Sequence, residues 1–162
     1  KINSNNYAVL GPSIISVKSK KNQNPHMLHP ISRLSRMYYD MFFVNSVSGL
    51  CIYKLRTILK RIFKIFSIKK INKHREIYAP HGSFIIFSKT FFNNGGWIDS
   101  NFEMFAEELT TAEIAKSLNM SIFFNPDLEV MHDEHSTSSS RNWKENFYIF
   151  KKAYYYFQKE YL

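Results

Sequence analysis

Residues 84–135 constrain this chain more than any other stretch. They set out Phe84-Ile85-Ile86-Phe87, then Gly95-Gly96-Trp97-Ile98-Asp99, then Phe105-Ala106-Glu107-Glu108, and finally Pro126 and His132. Four apolar residues in a row are too few for a helix and read as a strand covered on both faces. Asn93-Asn94-Gly95-Gly96 reads as a turn, because these residue types tolerate positive φ. Residues 107–118 fit a helix with Thr111, Ile114, Ala115 and Leu118 on its inner face, and Asn119 is placed to close it in the left-handed conformation. Residues 121–124 and 128–131 read as two further strands separated by Asn125-Pro126-Asp127. This alternation predicts an α/β fold, with a mainly parallel sheet and flanking helices. Here alone do paired carboxylates, a Gly-Gly turn and histidines crowd at the ends of apolar runs, where such folds carry chemistry.

The flanking segments read as scaffold. Residues 7–10 and 14–17 are short apolar runs around Gly11-Pro12, hence two short strands or one broken strand, and residues 18–30 form a loop. Ile31, Leu34, Tyr38, Met41 and Phe42 fit one face of a helix, which Ser46-Val47-Ser48-Gly49 interrupts. Trp143, Phe147, Phe150, Tyr154, Phe157 and Tyr161 recur at alternating four and three, so residues 143–162 read as a helix whose aromatic stripe is core. With 162 residues and 44% apolar content the whole chain is one domain's length. The single Cys51 excludes an internal disulfide and reads as a small buried hydrophobe in a reducing compartment.

Charge is unevenly spread. Residues 1–75 hold 15 Lys/Arg against one acid, Asp40, whereas residues 76–162 hold 7 against 12. Much of the basic excess lies in residues 50–70, where Leu55, Ile58, Leu59, Ile62, Phe63 and Phe66 fall at helical spacing with Lys54, Arg56, Lys60, Arg61 and Lys64 between them. This is a basic amphipathic helix. It can pack on its own domain with a solvated cationic face, lie on an anionic membrane surface, or meet nucleic acid. The last is disfavoured, because the aromatics lie on the apolar side rather than among the charges. No apolar run reaches the roughly 18 residues needed to span a bilayer, and the N-terminus lacks a signal-peptide pattern. The expected location is therefore cytoplasmic, peripheral at the inner face of the membrane if the basic helix attaches there. The chain opens without Met, as an excised piece of a longer protein would.

Glu107-Glu108 are the leading chemical candidates. A helix N-terminus favours the ionised form of both, whereas Trp97, Phe102 and Phe105 nearby would desolvate a carboxylate and raise its proton affinity. The two effects oppose, so sequence gives no direction for the pKa. His132-Asp133-Glu134-His135 follows a strand and can bind a divalent cation or steady a phosphate. Strand alternation lets only one of the two histidines share the carboxylates' face, and His132 is the better placed.

The order of Gly82-Ser83 before an apolar strand, Gly-Gly-Trp-Ile-Asp, Phe-x-x-Phe-Ala-Glu-Glu, a helix ending at Asn119, Pro126, and His132 six residues later resembles the C-terminal half of a family 2 glycosyltransferase. Val9-Leu10-Gly11-Pro12 is similar to the strand that precedes the acceptor region in that family. The resemblance implies an incomplete nucleotide-diphosphosugar transferase (GT-A) type fold and an inverting transfer in cell-surface polysaccharide synthesis. By position Glu108 would be the base with Glu107 beside it, and Gly82, Ser83, Gly96, Trp97 and Asp99 would shape the substrate site. His132 would contact a divalent cation (Mg or Mn), and the partners would be a nucleotide-sugar donor and a saccharide or lipid-linked acceptor. Glu108 stands where the family usually has Asp, Thr110 and Ile114 replace an Asp and an Arg, and Asn119 replaces Gly. The family's donor-binding half, with its Asp-x-Asp metal site, is expected before Tyr7, so the chain alone is expected to be inactive. The competing expectation is a non-catalytic remnant or interaction module that binds a membrane surface or acidic partner through the basic helix.

Overall fold

A computed structural model describes residues 6–62, 73–133 and 141–162. The elements run β1 (Tyr7–Ser16), α1 (Arg33–Phe42), α2 (Ser46–Ile62), β2 (Arg75–Ile77), β3 (Ile86–Phe87), α3 (Lys89–Asn93), α4 (Glu107–Ser117), β4 (Ser121–His132) and α5 (Trp143–Tyr161). The fold is mixed α/β, with a four-stranded sheet ordered β2-β4-β1-β3 and flanked by helices. The mainly parallel sheet expected from sequence is corrected: β1 and β4 pair in parallel, while β1–β3 and β2–β4 are antiparallel. The parallel pair is nevertheless the longest. It runs from Tyr7 opposite Ser121 to Ser16 opposite His132.

Both central strands are longer than their apolar runs suggested. In β1 the Gly11-Pro12 step stays within one strand, because Gly11 lies against Pro80, where an added Cβ would sit 2.8 Å from the proline Cβ. In β4 the residues around Pro126 bulge rather than divide the strand. Asn125 pairs with Pro12 and Glu129 with the next residue, Ser13, while the Asn125 side chain accepts the Asp127 N–H at 3.0 Å. The opposite error occurs at residues 84–87. Only Ile86–Phe87 pair, at the sheet edge, and Phe84 and Ile86 are exposed, so this strand is not covered on both faces.

The main core lies between the sheet and α3–α4, where Val9, Ile122 and Phe124 meet Phe91, Ile114 and Ala115. Helix α5 closes two further clusters, as its aromatic stripe predicted. Phe147 and Tyr154 pack with Phe42 and Phe43 of the α1 segment, and Ala153 and Phe157 pack with Ala106. An Asn142–Glu145 capping box starts α5. Asn119 ends the α4 region at φ 52°, as expected for a left-handed closing residue.

Helix α2 departs most from expectation. Ser46–Gly49 begin it rather than interrupt α1, since the Asn45 side chain accepts the N–H groups of Val47 and Ser48. Its domain-facing side is built on Gly49, whose absent Cβ leaves room for the Phe147 ring, with Ile52 and Tyr53 beside it. Leu55, Ile58 and Leu59 are exposed. Cys51 is exposed as well, which corrects its reading as a buried residue. The continuation of the basic helix through Phe63, Lys64 and Phe66, and His135 with the polar loop after it, lie outside the described residues.

Candidate functional site

The β1–β4 pair ends with Ser16 opposite His132, and the site gathers at this carboxyl end. Asn24, buried in the loop after β1, donates its amide to Pro12 O at 2.8 Å and accepts the His81 N–H at 2.7 Å, fixing residues 80–82 against the strand. Three imidazoles follow one another. The His26 and His81 ring centres are 5.3 Å apart and those of His81 and His132 are 5.9 Å apart. The Ser83 N–H donates to His81 Nδ1 at 3.2 Å, which makes that nitrogen an acceptor and leaves the ring proton on Nε2. His132 Nδ1 faces Gln23 Oε1 at 2.8 Å, a contact in which the ring nitrogen is the donor.

Glu107 and Glu108 open α4 after an unusual approach. Phe105 and Ala106 have φ of 67° and 89°, a left-handed pair that L-residues with side chains seldom adopt. Packing holds them: Ala106 is buried against Ala153 and Phe157, and the Phe105 ring lies 5.2 Å from Phe150. The N-cap Ala106 has no side chain to offer the first turn. The Thr110 hydroxyl instead donates back to Ala106 O at 3.2 Å. Thr110 and Ile114 are both buried, and neither side chain is ionisable, so these two positions carry no salt bridge here.

The turn aims Glu108 inward. Its side chain is 20% exposed, Oε1 lies 3.6 Å from His26 Nε2, and Oε2 would be 3.0 Å from a Cβ added to Gly82. Burial pushes its pKa from 4.5 up to about 7; the hydrogen bond from its own backbone N–H pulls the other way, and the Glu107 charge adds to the rise. Burial also lowers the pKa of His26. At 3.6 Å the pair is too far apart for a hydrogen bond, and burial disfavours the charged form of both partners, so it is not a fixed ion pair. Burial thus outweighs the backbone hydrogen bond at the helix start, which gives the direction that sequence left open.

Glu108 lines a pocket of about 440 Å³ with His26, His29, Ser32, Ser35 and Tyr39 as polar groups and Phe105, Leu109 and Phe150 as apolar ones. Glu107 lines a neighbouring pocket of about 200 Å³ with Gly82, Asp99, Thr110 and Thr111. Of the residues expected to act together, Glu107, Glu108 and Gly82 do meet, and Ser83 and His132 join them through His81. Trp97 does not. It is 49% exposed and lines a separate pocket of about 580 Å³ with Asp99, Tyr156 and Tyr161, so Phe105 rather than Trp97 shares the Glu108 pocket. Gly96 is a packing glycine, since an added Cβ would fall within 2.7 Å of the Phe91 ring.

Asp99 is an anchor for α5. Burial draws it toward protonation, but the Tyr161 hydroxyl (2.6 Å), the Asn101 N–H (3.0 Å), the Tyr156 hydroxyl (2.7 Å) and the Asn101 amide (2.8 Å) outweigh that and hold its carboxyl below the usual carboxylate range. His26, His81 and Asn24 were missed by sequence reasoning. His81 adjoins Gly82-Ser83 and could have been found there, whereas nothing near His26 signals that its loop returns to α4. Among the described residues no three His, Cys, Asp or Glu side chains converge as a metal site, so His132 is not part of such a group for the expected divalent cation. No helix among them is long and apolar enough to cross a membrane. No protein-family model, curated protein or solved structure matches the chain.

Proposed function

We propose that this chain is the acceptor-side half of an inverting glycosyltransferase of the nucleotide-diphosphosugar type, with Glu108 as the general base. The observation that carries the reading is the Glu108 carboxyl itself: part-buried at the wall of a pocket of about 440 Å³, with its pKa raised to about 7. A base is most effective when its pKa lies near the working pH. In the proposed step the acceptor hydroxyl oxygen forms a bond to the anomeric carbon, its proton passes to Glu108, and the bond to the nucleoside diphosphate breaks on the opposite face. One displacement needs one such carboxylate, unlike the pair used in glycoside hydrolysis. The pocket's hydroxyl and imidazole groups interleaved with aromatic and aliphatic walls suit a saccharide, whose own faces alternate in the same way. The Glu108 side chain keeps 20% of its surface exposed, so the proton it takes can leave to solvent and restore the base.

The test compares Glu108→Gln with Glu107→Gln in the full reading frame that carries these residues, assayed with a panel of nucleotide sugars. Glu108→Gln is expected to lower transfer by at least 10² to 10⁴-fold with donor binding retained, and Glu107→Gln to have the smaller effect. The wild-type rate should rise with pH through about 7, the value of Glu108. Full activity in Glu108→Gln would remove Glu108 as the base, and absence of transfer by the wild-type reading frame with every donor would leave the non-catalytic interaction module as the better reading.

A further inference from the structure

We infer that α2 is a docking helix for anionic lipid surfaces, an assignment independent of any transfer chemistry. At about 100° per residue, Val47, Cys51, Leu55, Ile58 and Leu59 fall within an arc of about 120° on this helix. A helix with such an arc ordinarily turns it to the core. Here Gly49, Ile52 and Tyr53 take that place, meeting Phe147 and Trp143, and Arg56 lies 5.8 Å from the Tyr38 ring centre. The apolar arc is consequently exposed, at 69% for Val47, 57% for Leu55, 52% for Ile58 and 42% for Leu59. Helix α1 adds exposed Leu34, Met37 and Met41, and exposed Val44 lies in the short connection between the two helices.

Charge selects the occupant. Lys54 borders the arc beside Val47, about 20° from its edge, and residues 1–75 carry 15 Lys/Arg with Asp40 as the only acid. Asp40 faces away from the arc, accepting hydrogen bonds from Tyr154 and Gln158 of α5. A second copy of the chain would bring like charges together around the arc, which opposes self-association. Nucleic acid would meet aliphatic side chains, because Tyr53 lies outside the arc, with its ring centre 5.5 Å from that of Trp143. A lipid surface supplies both complements at once, acyl chains for the aliphatic arc and anionic headgroups for its cationic border.

Co-sedimentation of the full chain with vesicles of phosphatidylcholine alone and of phosphatidylcholine with phosphatidylserine tests this. Binding is expected on the anionic vesicles only, and should fall by an order of magnitude or more between 0.1 and 0.5 M KCl as the screening length shortens from about 10 Å. Lys54→Glu should lower partitioning by roughly fivefold or more, and the triple change Leu55→Ser, Ile58→Ser, Leu59→Ser should abolish it with circular dichroism unchanged. Lys89→Glu, on α3, alters net charge equally and should change binding by less than about twofold. Equal binding to neutral and anionic vesicles, salt-insensitive binding, or retention by both the Lys54 and the serine variants would overturn the inference. So would a stable dimer in sedimentation equilibrium that the serine variant disrupts, which would make the arc an interface between copies.

Discussion

At Glu108 a single side chain links stability to chemistry. Its pKa rises from 4.5 to about 7 on folding, so between those values the folded chain holds a proton that the unfolded chain has released. Stability is then greatest below about pH 4.5 as far as this group is concerned, and declines as pH rises through about 7. The shift corresponds to a loss of about 3 kcal/mol above pH 7, as an upper figure. Glu108→Gln should therefore be more stable than wild type at pH 8 by roughly 1 to 3 kcal/mol, with the difference fading toward pH 4.5. Urea unfolding at the two pH values measures this; equal stabilities at pH 8 would mean that the carboxyl is not desolvated. Asp99 has the opposite sign. Its carboxyl is held below the usual carboxylate range, so its contribution is present at neutral pH and lost as the solution is acidified through its folded pKa. Tyr161→Phe removes a donor to this carboxylate and should destabilise the chain by about 1.5 to 3 kcal/mol at pH 7.

Among the elements, α4 and α2 are each set by a contact with α5. Ala106 sits at φ 89° and is buried against Ala153 and Phe157. Ala106→Gly relieves the left-handed strain, which offsets the lost methyl contacts, and should leave thermal stability within about 1 kcal/mol of wild type. Ala106→Val should lower it by more than about 2 kcal/mol, since a β-branched residue resists positive φ. If valine is tolerated as well as glycine, the turn before Glu107 is not held in the left-handed region. On α2, Gly49→Ala would place a Cβ 2.5 Å from the Phe147 ring and 2.9 Å from Phe42 O. Neither neighbour can yield easily, so a loss of about 1 to 3 kcal/mol is expected.

For the molecule as a whole, α5 is the element that joins the parts. It supplies Phe147 and Tyr154 to the cluster around Phe42 and Phe43, Ala153 and Phe157 to the cluster around Ala106, and Tyr156 and Tyr161 to Asp99. The sheet core between β1, β4, α3 and α4 contains no buried residue of α5. Truncation after Arg141 should accordingly lose the near-ultraviolet circular dichroism of the aromatic clusters, together with the turn that aims Glu107 and Glu108. A truncated chain with native near-ultraviolet signal would show that the clusters around Phe42 and Ala106 are dispensable.

Local pattern by itself determined the helices over α1, α4 and α5, the turn at Gly95, the left-handed Asn119, and the prominence of Glu107 and Glu108. These depend on periodicity and on residue-specific φ preferences, which neighbours in the chain specify. Tertiary structure alone decided the mixed sheet, because parallel or antiparallel pairing follows from the path of the connections rather than from any strand's own sequence. It also decided the His26–His81–His132 row, assembled from three separate segments, and the raised pKa of Glu108, since desolvation depends on what surrounds a carboxyl in space. The orientation of α2 belongs to the same class. Periodicity marked an apolar arc, but one glycine facing Phe147 determines which side of the helix meets the domain and leaves that arc outward.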